Sequence, residues 1–132
     1  MEDITLKSGN ILKIGLPPIK KSLDLVNVVA HCFSERGLNI KLDRDTELSF
    51  KGLFEKNRDA CVKGLSDVIF NPQVTHCVLE CAERCIYVYN GVSQKITLDL
   101  FDKEEYRADF YEVMIKIAIA NIKPFLANLL TE

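Results

Sequence analysis

The sequence predicts an α+β fold, mostly helical, in which a small N-terminal β-hairpin or sheet packs with about four helices. Three observations lead there. Two short apolar segments, the first alternating, flank a Gly-Asn pair near the start, later segments carry apolar residues at helical spacing between capping and breaking residues, and 132 residues are the usual length of one domain. The whole chain, 1–132, is therefore read as a single domain.

The hairpin comes first, over residues 1–16. Ile4 and Leu6 alternate with Thr5 and Lys7, Gly9-Asn10 supplies a turn, and Ile11 to Ile14 return. Pro17-Pro18 ends the second strand, because proline has no N–H for a ladder. A helix over 18–36 follows, with Ile19, Leu23, Val26, Ala30 and Phe33 at helical spacing and Gly37 at its end. Residues 38–42 alternate and predict a third strand. A second helix spans 47–69, with Leu48, Phe54, Cys61, Leu65, Val68 and Ile69 as core candidates. Asn71-Pro72 reads as N-cap and N1 of a third helix over 72–85. Asn90-Gly91 is a turn, and Ile96, Leu98 and Leu100 suggest a short strand. A last helix covers 103–130, with Asp102 as its N-cap and a stripe of Tyr106, Phe110, Val113, Ile117 and Ala120. Pro124 should kink or break that helix. Leu98 and Phe110 are both placed on core faces.

Composition excludes several function classes. With 17 basic and 19 acidic residues the net charge is −2, against the basic excess of a nucleic-acid binder. The short basic groups, Lys20-Lys21 and Lys51 with Lys56 and Arg58, are interleaved with acids. Met1-Glu2-Asp3 does not open a signal peptide, and the apolar run of the last helix, broken by Lys116, Asn121, Lys123 and Pro124, is too polar to span a bilayer. A cytoplasmic location is expected, and five cysteines, an odd number, suit reduced thiols there.

No catalytic pattern emerges, so no enzyme and no cofactor is expected. Gly9, Gly15 and Gly37 form no phosphate-binding motif. Asp99 and Asp102 read as helix caps. His31 beside Cys32 and His76 beside Cys77 point about 100° apart on a helix, so neither is a dyad. Cys77, Cys81 and Cys85 sit at i, i+4 and i+8, which places the outer two about 12 Å apart along one axis; a tetrahedral metal site cannot be wrapped by one straight helix. Buried thiols are the expected role, and a small thiol- or metal-responsive binding protein is the alternative. Tyr87 and Tyr89 before Asn90-Gly91, and Ile122, Phe125, Leu126, Leu129 and Leu130 around and beyond Pro124, are the candidate partner-binding residues. An apolar content of 48% in a short chain also leads to an expectation of self-association.

The order of these pieces resembles a known family. The opening "LKSGNILKIGLPPIKKSLDLVNVV" resembles the hairpin-then-helix start of small tail assembly chaperones of long-tailed bacteriophages. "CAERCIYVYNG", followed by "ITLDLFDKEEYRADFYEVMIKIAIANIKPFLANLL", looks like their C-terminal half, with Asn-x-x-Pro-Phe near the end of a long helix. The resemblance covers most of the chain and is weakest over 43–70. It implies a non-enzymatic protein that binds the tape-measure protein and the major tail protein during tail assembly, often as an oligomer. Other phage accessory roles share the same features.

Overall fold

A computed structural model describes residues 2–35 and 65–128. They form four strands and three α-helices: β1 (Glu2–Thr5), β2 (Ile11–Ile14), α1 (Ile19–Glu35), α2 (Pro72–Cys81), β3 (Ile86–Tyr89), β4 (Val92–Lys95) and α3 (Glu104–Asn128), with a 3₁₀ segment at Leu98–Asp102. The class is α+β, as expected. The expected strand at 38–42 and the expected helix at 47–69, apart from its end, lie outside the described residues. That end is helical over 65–68, and Leu65, Val68 and Ile69 are buried.

The two hairpins lie side by side in one antiparallel sheet of order β1-β2-β3-β4. Gly9 at φ +93° closes the first turn, where the Gly9 N–H donates to the Leu6 carbonyl at 2.9 Å. Asn90 (φ 48°) and Gly91 (φ 80°) close the second with both residues left-handed, the two-residue turn whose twist matches that of the strands. Register aligns Ile4, Leu12, Tyr87 and Gln94 in one cross-strand row. Leu12 and Tyr87 in that row are fully buried, and Gln94 donates to the Tyr106 hydroxyl at 3.0 Å. That face therefore meets α3.

Asn71 caps α2, its side chain accepting from the Gln73 N–H at 3.0 Å with Pro72 in the first turn. The helix stops at Cys81, short of the expected residue 85. The Ala82 and Cys85 N–H groups instead donate to the carbonyls of Leu79 and Ala82, a tightened turn that delivers the chain to β3. α1 begins as expected but buries a different stripe. Ser22, Leu25, Val29 and Cys32 face the core with Ala30, while Ile19 (68% exposed) and Leu23 (41%) face outward. Both stripes have helical spacing, and the packing of α1 against α2 and α3 selects between them.

The expected strand around Leu98 is a 3₁₀ turn. The Thr97 hydroxyl accepts from the Leu100 N–H at 3.3 Å, Phe101 becomes the buried residue, and Leu98 is left 57% exposed rather than in the core. Asp102 closes that turn and does not cap α3, which begins at Glu104. The stripe of α3 is as expected: Tyr106, Val113 and Ile117 are buried, with Phe110 and Ala120 packed against them. Met114, Ile115, Ala118 and Ile122 are buried too, so α3 is covered on more than one side. Pro124 does not break it; α3 runs on to Asn128, losing one hydrogen bond within its last turns. No described helix is long and apolar enough to cross a membrane.

Candidate functional site

The cysteines expected to stack on one helix are split between α2 and the turn after it. Cys81 donates to the Lys21 carbonyl at 3.3 Å and Cys85 to the Gly15 carbonyl at 3.6 Å, so one thiol ties the end of α2 to α1 and the other ties the following turn to the segment after β2. Burial, reinforced by neighbouring Cys77 and Cys85, pushes the Cys81 thiol up to about 12, and burial raises Cys85 and the half-buried Cys77 as well. A thiol held protonated is a poor nucleophile. Among the described residues no group of three or more His, Cys, Asp or Glu side chains could hold a metal ion. Site-resolved alkylation of the folded protein is expected to modify Cys77 well before Cys81 or Cys85, which should react only on unfolding. Equal rates at Cys77 and Cys81 would contradict this burial order.

The candidate partner-binding residues do not form one patch. Tyr87 is fully buried and Ile122 is 5% exposed, so both belong to the core rather than to a surface. The reason for Tyr87 is register, since its pairing with Leu12 turns it toward α3. Tyr89 is half-buried and packs edge-on to Tyr106, ring centres 4.9 Å apart, at the beginning of α3. Ile122 lies sixteen residues further along that helix, ~24 Å at 1.5 Å per residue. The aromatic turn and the Pro124 end are thus at opposite ends of α3. Phe125 and Leu126 lie on α3, but their side chains, with Leu129 and Leu130, fall outside the described residues.

Two features were not read from the sequence. The first is a groove of about 500 Å³ where the end of β2 meets the end of α3, lined by Glu2, Ile14, Gly15, Leu16, Ala120, Lys123 and Pro124. Its apolar wall is Ile14, Leu16, Ala120 and Pro124, with an acid and a base among its lining residues. The second is a buried carboxylate, Asp109, 3% exposed. One oxygen, Oδ2, accepts from the Tyr87 hydroxyl at 2.5 Å, the Asn10 amide at 2.9 Å and the Ser8 hydroxyl at 3.0 Å. Burial pushes this carboxyl up, but the three donors outweigh it and the net shift is down; Tyr87 is raised by burial and by its bond to Asp109. The cluster fastens the first hairpin turn and β3 to α3. The legible signal was a charge at position 109 on the 106–110–113 apolar stripe.

No protein-family model, no curated protein and no solved structure matches the chain.

Proposed function

We propose that this protein is a non-enzymatic tail assembly chaperone of a long-tailed bacteriophage, acting in the bacterial cytoplasm on the tape-measure protein and the major tail protein. The observation that carries the reading is the resemblance of its first 30 or so residues and of residues 81–130 to that family. The structure supports it in one respect: the groove of Ile14, Leu16, Ala120 and Pro124 sits at the Asn-x-x-Pro-Phe end of α3. An apolar groove with charged residues beside it suits the face of an amphipathic helix, and tape-measure proteins are long and helical. Binding then belongs to the Pro124 end of α3, and the Tyr89 end has no part in it.

The test is co-purification with the tape-measure protein of the same genome. Wild type should retain it, Leu16→Glu should lose it, and Tyr89→Ala should bind as wild type does. Leu16 is half exposed, so its replacement should spare the fold. Wild type that captures no tape-measure protein would overturn the reading. Capture that Leu16→Glu leaves intact would move the site away from the groove.

A further inference from the structure

We infer that the first half of α1 is a self-association surface, on which a second copy of the chain packs its own α1 antiparallel across a two-fold axis. Ile19 and Leu23, 68% and 41% exposed, sit at i and i+4 on one side of α1. Val26 extends the stripe half-buried, and Ala30, one turn further, is buried, which confines the open apolar face to the first turns. Two large exposed apolar side chains one turn apart, continued by half-buried Val26, form a short strip on α1 rather than scattered exposure.

The occupant is indicated by the charges beside the strip. Lys20 follows Ile19 and Asp24 follows Leu23, so one flank carries a base and then an acid ~6 Å further along the axis. Both are exposed, and no ion pair within the described residues uses either, whereas Lys21 on another side of the helix is held by Glu80 and Glu83 at 3.4 and 2.8 Å. A two-fold axis level with the span between residues 21 and 22 brings each Lys20 to the other copy's Asp24 and each Ile19 to the other copy's Leu23, both pairs within ~1.5 Å of level along the helix axis. The pattern is thus complementary to itself when run backwards, as an isologous contact requires. A base in the first turn also opposes its own helix dipole, an arrangement that a neighbour of reversed direction relieves. The apolar strip is small, which places the dimer among weak, transient interfaces. This inference is independent of the tape-measure reading, which a monomeric result would leave intact.

The test is sedimentation equilibrium of the full chain up to about 1 mM, with circular dichroism to confirm folding. Wild type should show a monomer–dimer equilibrium weakened by salt. Lys20→Glu alone and Asp24→Lys alone should each weaken dimerisation about tenfold or more, through like charges brought together twice per dimer. The double variant Lys20→Glu/Asp24→Lys should restore it. A wild type that is monomeric throughout overturns the inference. So does a dimer indifferent to the single reversals, or one that the double reversal fails to rescue. A monomer that loses tape-measure capture on Ile19→Ser/Leu23→Ser would assign the strip to that partner and overturn self-pairing.

Discussion

Leu12→Asp is expected to abolish folding at room temperature, while Leu98→Asp leaves the melting curve almost unchanged. Leu12 is fully buried in the middle of β2, opposite Ile4 on one side and Tyr87 on the other. A carboxylate there has no partner and must stay charged at a large desolvation cost or take up a proton. Either way the loss is several kcal/mol, on the scale of the ~5–15 kcal/mol that holds a domain together. Leu98 is 57% exposed on the 3₁₀ segment. An exposed substitution there should fall within about 0.5 kcal/mol, or roughly 2 °C in melting temperature for a chain of this length. Circular dichroism melts of the two variants check both halves. A cooperative, wild-type-like transition from Leu12→Asp would show that the sheet's inner face is misassigned.

That contrast marks where pattern reading reached its limit. Ile96, Leu98 and Leu100 alternate as a half-buried strand should, and alternation alone favoured an extended segment facing the core. Thr97 decided otherwise, because its hydroxyl can take the Leu100 N–H and start a tight turn that buries Phe101. The β3–β4 hairpin was half legible. Asn90-Gly91 announced the turn, but Ile86-Tyr87-Val88-Tyr89 is a continuous apolar run and Val92-Ser93-Gln94-Lys95 is largely polar, so neither flank alternates. The preceding helix, expected to reach residue 85, ends four residues earlier at Cys81. Where a local signal had a single reading, it held. Asn71-Pro72 before an apolar stripe caps α2 as expected, and the first hairpin forms, although its turn centres on Lys7-Ser8 with Gly9 at its end rather than on Gly9-Asn10.

Helix α1 failed differently. It is apolar along two neighbouring edges, and periodicity cannot rank them. The buried edge contains Ser22 and Cys32, small residues that look less like core than Ile19 and Leu23 do. Ser22 is inside because its hydroxyl donates to the Asn121 side chain at 2.7 Å, while that side chain donates to the Ile117 carbonyl at 2.8 Å. A buried polar residue is acceptable once its partner is present, and a partner 99 residues away is invisible to local pattern. The same blindness hid the groove at Pro124, whose walls come from β1, the end of β2 with the segment after it, and the far end of α3.

Asp109→Ala is expected to cost about 2–4 kcal/mol, because it takes the shared acceptor from the buried Tyr87 hydroxyl and the half-buried Asn10 amide at once. The Tyr87 hydroxyl and the Asn10 amide both give a hydrogen bond to Asp109 Oδ2, and Tyr87 also accepts from Asn10 at 3.3 Å. Removing the shared acceptor leaves the two with one bond between them, the Tyr87 hydroxyl away from solvent. Tyr87→Phe removes one donor and keeps the carboxylate's other two, so its cost should be smaller, about 1–2 kcal/mol. The double variant should fall short of the sum by at least ~0.5 kcal/mol, as groups in one network do. The pH dependence follows from the sign of the shift. The folded carboxyl titrates below its ordinary value of 3.8, so the folded state holds its proton less tightly than the unfolded chain does. Its contribution is therefore complete above the unfolded pKa and declines as pH falls through the folded one. Asp109→Asn cannot titrate there, so the stability gap between wild type and Asp109→Asn should be constant near neutrality and should narrow below about pH 4. Urea melts of the two proteins across that range measure the gap directly. A gap that stays level down to the acid limit, or widens, would mean that the carboxylate is not held ionised by its three donors.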